Sequence, residues 1–210
     1  MDIKIVNGTY DSNTFVIGDK SNVLICDSGA TVTDVVKAVA KRKVLGIFVT
    51  HEHFDHLTNC CDYARKFNAP IYAAKEVLDN LMYYKPVLPG ANGVNYDIAE
   101  LDESIRFVVI SDENEIQIGN MIVYPYLLPG HSPGSIVYQI NDIIFTGDLL
   151  FARGVGNTLF MTNGVKYMAE SLKRLKDEIK FKTAYHGHGE SSSWEWQQKN
   201  ISVWLKWLIR

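Results

Sequence analysis

The chain has 210 residues, and its 24 acidic and 21 basic side chains give a formal net charge of −3. A hydrophobic content of 47% and a charged content of 21% are typical of a globular protein with a buried core. The chain has no basic run, which argues against a nucleic-acid partner. It also has neither a signal peptide's apolar region nor 18 consecutive apolar residues, so no membrane span is expected. We therefore expect one cytoplasmic domain over residues 1–210.

Apolar runs separated by turn residues and short amphipathic segments organise the first half of the chain. Thr31 is a candidate N-cap for the first helix, whose valines repeat at helical spacing. The adjacent Cys60 and Cys61, in a chain with three cysteines, predict buried small side chains rather than disulfides. The predicted elements are a hairpin over 14–17 and 22–26, a helix over 31–41, a strand over 44–49, a helix over 57–67, a strand over 71–73, a helix over 75–84 and an irregular loop over 85–104.

The second half of the chain has the same pattern of apolar runs, turn residues and amphipathic segments. Its candidate strands are 105–110, 115–118, 121–128, 135–140, 143–146 and 183–185, and its candidate helices are 165–179 and 194–209. The last helix carries four tryptophans, which we expect to pack in the core. Strands followed by helices, twice over, predict an α/β protein with two mixed sheets face to face and helices outside.

The segment His51-Glu52-His53-Phe54-Asp55-His56 contains half of the six histidines. His51 and His53 are two residues apart, so in an extended segment their side chains point the same way. Imidazole nitrogens and carboxylate oxygens are the ligands that zinc, iron and manganese accept. Since this segment follows a predicted strand, we interpret it as part of a metal site at the end of a sheet.

The other three histidines also follow predicted strands. His131 lies in a loop rich in glycine and proline, and His186 and His188 lie in Tyr185-His186-Gly187-His188-Gly189. Asp148 follows another strand in Thr146-Gly147-Asp148. Because all six histidines lie where strands give way to loops, we expect several of these side chains to meet at one site.

The order of these motifs resembles the metallo-β-lactamase superfamily, and within it the glyoxalase II-like metal-dependent hydrolases. The resemblance covers nearly the whole chain and includes the Asp27-Ser28-Gly29 turn. It implies a four-layer αβ/βα sandwich and a binuclear metal site. Its ligand assignment gives His51, His53 and His131 to one metal, Asp55, His56 and His188 to the other, and makes Asp148 a bridge between them. Two zinc ions are implied, with iron or manganese as alternatives.

The resemblance also implies the reaction. A hydroxide held between the metals would attack an ester, thioester or lactone carbonyl of a small molecule, with Asp55 steering it. A mono-iron persulfide dioxygenase is the alternative on the same fold, because Asp55-His56-Leu57-Thr58 resembles that group's pattern. A third interpretation is a metal-binding sensor without catalysis. Flavodiiron reductases rank lower, because they carry glutamate where His53 stands.

Four features leave alternatives open. Asp27 is either a carboxylate that orients a ligand histidine or a turn residue. Arg153 either binds an anionic substrate or lies on the surface, and the Gly156-Asn157-Thr158 segment lacks the arginine of glutathione-thioester hydrolases. His186 is a supporting residue, a cleft residue or a ligand. Tyrosines of the 76–104 segment are candidate substrate contacts: Tyr83, Tyr84 and Tyr96. The natural substrate and the oligomeric state are not predicted.

Overall fold

The computed structural model describes residues 1–83, 103–111 and 113–209, with the side chains of 80–83 left out. Most of the predicted loop 85–104, and the tyrosines at 84 and 96 with the side chain of Tyr83, lie outside the described residues. Six strands form a first mixed sheet in the order β1-β2-β3-β4-β5-β6. They are β1 (Asp2–Asn7), β2 (Asn13–Gly18), β3 (Asn22–Cys26), β4 (Lys43–Phe48), β5 (Ile71–Ala74) and β6 (Phe107–Ile110).

A second mixed sheet has the order β14-β13-β10-β9-β8-β7, and β11 pairs with β12 alone. In chain order these strands are β7 (Ile116–Ile118), β8 (Met121–Leu127), β9 (Ile136–Ile140), β10 (Ile143–Phe145), β11 (Leu150–Phe151), β12 (Gly154–Val155), β13 (Thr183–Tyr185) and β14 (Ser192–Ser193). β10 and β13 are parallel, and the other pairs of this sheet are antiparallel.

Six α-helices complete the described fold. They are α1 (Val32–Val39), α2 (Phe54–Leu57), α3 (Cys60–Phe67), α4 (Lys75–Tyr83), α5 (Gly164–Glu178) and α6 (Trp194–Leu208). Thr31 caps α1 as predicted, because its hydroxyl accepts a hydrogen bond from Asp34 N at 3.2 Å. Val35 and Val39 are the buried residues of that helix, so the valine spacing correctly marks its inner face.

Three apolar clusters hold four layers together. Phe15 and Phe48 of the first sheet meet Val123 and Phe145 of the second in the space between the sheets. A second cluster joins the outer face of the first sheet to α1 and α3, and a third joins the second sheet to α5 and α6. The helix–sheet–sheet–helix sandwich expected from the sequence is therefore confirmed. Cys60 and Cys61 are fully buried in it, and none of the three cysteines forms a disulfide.

Three details differ from the prediction. The expected helix over 57–67 begins three residues later, as α3 at Cys60, and a separate single turn of helix, α2, precedes it over Phe54–Leu57. The edge strand β1 was missed, since its mostly exposed residues give it no apolar pattern. The tryptophan prediction is wrong for two of the four side chains: Trp194 and Trp204 pack against the core, whereas Trp196 and Trp207 are exposed. No helix among the described residues has the length and apolar content needed to cross a bilayer.

Candidate metal centre

The ends of four strands bring the predicted ligands together. His51 lies just after β4, and His53 precedes α2, whose single turn carries Asp55 and His56. β8 leads into the loop of His131, β10 into Asp148 and β13 into His188. Because α2 tightens the chain directly after extended residues, neighbouring side chains of one short segment can face two different points.

The first point is surrounded by His51, His53 and His131. One ring nitrogen of each lies within 4.8 Å of the others. His131 Nε2 and His53 Nδ1 are 2.8 Å apart. His51 Nε2 is buried and has no hydrogen-bond partner. Since burying a nitrogen without a partner is energetically costly, His51 Nε2 is suited to donate its lone pair to a metal ion.

The second point is surrounded by Asp55, His56 and His188. His188 Nε2 lies 3.2 Å from Asp55 Oδ2 and 3.3 Å from His56 Nε2. Two imidazole nitrogens at this distance, beside a carboxylate, form a converging donor set. His56 is fully buried, and the side chain of His188 is 28% exposed, so one side of this group is open to solvent.

Asp148 lies between the two groups. Its Oδ2 is 3.6 Å from His131 Nε2 and 3.5 Å from His188 Nε2, and its Oδ1 is 3.4 Å from His56 Nε2. Oδ1 is buried without a hydrogen-bond partner, like His51 Nε2. These two buried atoms lack hydrogen-bond partners and lie among convergent nitrogen and oxygen atoms, an arrangement that fits a pair of divalent ions. The structure brings all seven predicted ligands together, and their metal binding stays a prediction.

Neighbouring groups set the tautomers of three of these imidazoles. His56 Nδ1–H donates to Asp27 Oδ2 at 2.9 Å. Thr50 Oγ1–H donates to the same oxygen at 2.9 Å and accepts from His51 Nδ1–H at 3.0 Å. His131 Nδ1–H donates to Asn157 O at 2.9 Å. In the neutral rings of His51 and His131, Nδ1 therefore holds the ring proton, and Nε2 faces the centre with a free lone pair. Burial lowers the pKa of His56, but Asp148 and Asp27 outweigh it and raise the value well above the ordinary one, so without metal His56 is also protonated at Nε2. Asp27 is also a turn residue, with φ of 61°.

The family assignment follows from the sequence pattern of the metallo-beta-lactamase superfamily, which matches residues 7–197. The chain belongs to this superfamily. A probable polyketide biosynthesis zinc-dependent hydrolase, PksB of Bacillus subtilis, is 28% identical over 148 residues, 70% of this chain and 57% of the relative. A probable metallo-hydrolase, MJ0888 of Methanocaldococcus jannaschii, is 27% identical over 203 residues, 90% of this chain and 93% of the relative.

Solved structures of the superfamily have the same fold. The B3 metallo-beta-lactamase BLEG-1 superposes with a TM-score of 0.81 at 21% identity, covering 97% of this chain and 99% of that one. TTHA1623, in a di-iron-bound form, gives a TM-score of 0.74 at 22% identity, with 95% and 98% covered. At these identities the likeness concerns the fold alone.

Glu52, a buried residue between His51 and His53, is part of the candidate metal centre and was not predicted from the sequence. Its Oε2 accepts a hydrogen bond from Ser132 Oγ at 2.7 Å, and Oε1 accepts a longer one from Gly134 N at 3.4 Å. Burial raises the pKa of this carboxyl group. These bonds join the segment of His51 and His53 to the loop of His131, so they hold the first group's two parts together. Only its position between two candidate ligands could have singled Glu52 out.

Burial and neighbouring carboxylates set the protonation of the candidate ligand histidines. Burial lowers the pKa of His53 to about 4 and lowers that of His131, so both rings are neutral at pH 7, the form that binds metals. Burial also lowers the pKa of His188, but hydrogen bonds to Asp148 and Asp55 outweigh it and raise the value to about 9. In the metal-free protein His188 therefore carries a proton at pH 7, and metal binding would release it.

The candidate residues Arg153 and His186 lie outside the two ligand groups, and the side chain of Thr58 also faces away from them. Arg153 is strongly exposed and faces Glu190 at 3.7 Å. His186 is buried, but Thr146 Oγ1 contacts its Nδ1 at 2.9 Å and Ser192 Oγ its Nε2 at 2.8 Å. Thr58, of the dioxygenase-like pattern, donates its hydroxyl to Phe54 O within α2. These two contacts favour a supporting role for His186 at the end of β13 over a ligand role, which the substitution below tests.

The two histidines beside Gly187 can be distinguished by substitution. We expect His186→Asn to keep the metal content of the wild type and to lower the free energy of unfolding by about 1–3 kcal/mol, because two hydrogen bonds are disturbed. We expect His188→Asn to lose metal instead. Elemental analysis and thermal unfolding of both variants check this. A folded His186→Asn protein that loses metal would show that His186 is a ligand.

Proposed function

We propose that this protein is a metal-dependent hydrolase that cleaves the acyl bond of a small ester, thioester or lactone at a two-metal centre. One observation carries the proposal: two groups of three ligand residues converge on neighbouring points, with Asp148 between them. Zinc is the proposed metal, because five imidazoles and two carboxylates suit it. Iron and manganese accept the same atoms.

The protein's own residues would do three things in this reaction. The bound metals supply a water of lowered pKa and a Lewis acid for the carbonyl oxygen. His51 and His131 keep their Nε2 atoms unprotonated through Thr50 and Asn157. Asp27 holds Nδ1–H of His56, whose Nε2 would give up its proton to a metal. Asp148 holds the two groups at a fixed separation. Its rigid position matters because misplacement of about 1 Å can cost 100-fold in rate.

Asp55 is the proposed proton carrier. Its carboxylate is partly open to solvent, with 13% of the side chain exposed, and it touches His188 at 3.2 Å. Hydrolysis adds one water across the acyl bond: a new C–O bond forms at the carbonyl carbon, and its bond to the leaving oxygen or sulfur breaks. One proton of the water goes to the leaving group, and Asp55 is placed to pass it on. The other proton leaves with the acid product.

The second ligand group favours a hydrolase over the two alternatives. A mono-iron dioxygenase needs only one metal, whereas Asp55, His56 and His188 form a complete second group beside the first. Thr58, which suggested the dioxygenase, faces the backbone of α2. A sensor without catalysis needs no partly exposed carboxylate beside its metals. The relatives named as probable hydrolases agree with this choice.

Metal removal and return test the proposal. We expect a chelator to abolish turnover of thioester and lactone substrates, and about two Zn²⁺ per chain to restore it. Mg²⁺ is the control and should not restore activity, because it prefers oxygen ligands. Elemental analysis, with rates on a panel of thioesters, lactones and phosphodiesters, gives the answer. One iron per chain with oxygen uptake on a persulfide would replace the hydrolase by the dioxygenase.

A further inference from the structure

The turn between β12 and α5 presents apolar side chains to solvent. Leu159 is 85% exposed, more than any other large apolar residue that the structure describes, and Phe160 is 53% exposed. A single exposed leucine needs no explanation. Two consecutive apolar residues on one turn beside a metal centre need one, because contiguous exposed apolar surface commonly marks a binding site.

Phe160 lies directly on the first ligand group. Its ring centroid is 4.6 Å from that of His53 and 5.4 Å from that of His131, in edge-to-face arrangements. His53 is the only partly exposed histidine of this group. Phe160 therefore covers the side from which this imidazole could meet solvent, and a substrate that reaches the centre there would pass the aromatic ring.

Asn157 fixes this turn relative to the metal centre. Its carbonyl oxygen accepts from His131 Nδ1–H at 2.9 Å, and its side-chain Oδ1 accepts from Leu159 N at 2.9 Å. One residue thus orients a candidate ligand and the turn that presents Leu159. The exposed leucine is held in a defined place beside the centre, as a binding surface requires.

A second apolar pair includes the residue that follows His53 in the chain. Phe54, the next residue, packs edge-to-face against Tyr10 with ring centroids 5.1 Å apart. Tyr10 is 56% exposed and has left-handed backbone angles, φ 55° and ψ 36°. Such strain at a residue other than glycine is commonly kept at functional sites. The nearby Ser12 Oγ donates to Asp55 O at 2.8 Å, which ties this turn to α2.

We propose that Leu159 and Phe160, together with Tyr10 and Phe54, form an apolar rim that binds the hydrocarbon part of the substrate's acyl group. The inference rests on the proposed acyl hydrolase and names its substrate class: acyl compounds with medium-length alkyl or aromatic groups. Arg153, the cation considered for an anionic substrate, already faces Glu190, which agrees with this class.

Binding of alkyl hydroxamates of increasing chain length to the zinc-loaded protein tests the rim without turnover. We expect wild-type affinity, measured by calorimetry, to rise about 2–4-fold for each added methylene up to about eight carbons. Leu159→Ser should weaken octanohydroxamate at least about 5-fold and leave acetohydroxamate unchanged. Val203→Ser, which removes a 63% exposed apolar side chain from α6, is the matched control and should change neither.

Each result bears on the rim separately from the hydrolase. Wild-type affinity independent of chain length, or an equal loss for both hydroxamates in Leu159→Ser, overturns the rim. Phe160→Leu, which keeps an apolar side chain, should retain metal and most of the chain-length dependence. If no acyl substrate is turned over while the dependence holds, the hydrolase fails and the rim stands. If thioesters are turned over equally at all chain lengths, the rim fails and the hydrolase stands.

Discussion

Gly187→Ala is expected to lower hydrolytic activity at least about 100-fold and to lower the metal content, although it adds only one methyl group. A Cβ at this position would lie 2.1 Å from Asp148 Oδ1 and 2.8 Å from His56 Cε1. Both atoms belong to candidate ligand residues; the side chain of His56 is fully buried, and only 11% of the Asp148 side chain is exposed. The added methyl therefore has to displace the carboxylate that lies between the two metal points.

Gly189→Ala provides the matched control on the other side of His188. A Cβ there meets nothing within 4 Å, but the residue has φ of +74°. Alanine at that angle costs roughly 1–2 kcal/mol of stability through the backbone and leaves Asp148 in place. Metal content and steady-state rates of both variants, with thermal unfolding, separate the two effects. Equal losses of metal in both would mean that the loop's backbone, and not the contact with Asp148, sets the site.

The elements and the convergence of the candidate ligands could be predicted because their signals are local. Apolar spacing identified most strands and helices to within a few residues. The ligands follow strands, and an ordered sheet brings such positions to one edge, so a set of residues distant in sequence was expected to converge. His188 was preferred over His186 as a metal ligand through the resemblance, and that preference stays a prediction. In the structure both ring nitrogens of His186 face hydroxyl groups, whereas His188 lies in the second ligand group.

The support of the site could not be predicted because it depends on long-range contacts with no residue signature. Asn157 orients His131 through its backbone carbonyl, a group that every residue type has. Glu52 looks like a solvent-exposed member of a polar segment until the loop of His131 covers it. Asn13 donates its side-chain amide to His186 O at 3.0 Å and to Gly189 O at 2.9 Å, across more than 170 residues of chain.

The exposure of Leu159 and Phe160 could not be predicted from the sequence either. Large apolar side chains are often buried, whereas both of these are exposed. Leu159 N donates a hydrogen bond to Asn157 Oδ1 in this turn, and no pattern in the sequence encodes that contact. The apolar rim proposed above therefore rests on an exposure that only the structure reveals.

Asp27→Asn is expected to weaken zinc binding about 10–100-fold while the protein stays folded. Asparagine tolerates the left-handed backbone at this position, so it can keep the turn. Its Oδ1 can still accept from Thr50 N, as Asp27 Oδ1 does at 2.7 Å. The amide nitrogen then replaces Oδ2, where it faces two donors, His56 Nδ1–H and Thr50 Oγ1–H.

The exchange of an acceptor oxygen for a donor nitrogen at this position affects both ligand groups. His56 must move its ring proton to Nε2 to accept from the new amide, and Nε2 then has no lone pair for a metal. The Thr50 hydroxyl must turn towards His51 Nδ1, which forces the same change of tautomer in the first group. Competition with a chromophoric chelator measures the affinity. Asp62→Asn, on the surface of α3 beside Arg65 at 3.3 Å, is the charge-matched control. Unchanged zinc affinity in Asp27→Asn would mean that Asp27 acts only as a turn residue, and that the imidazole tautomers are set by the metals themselves.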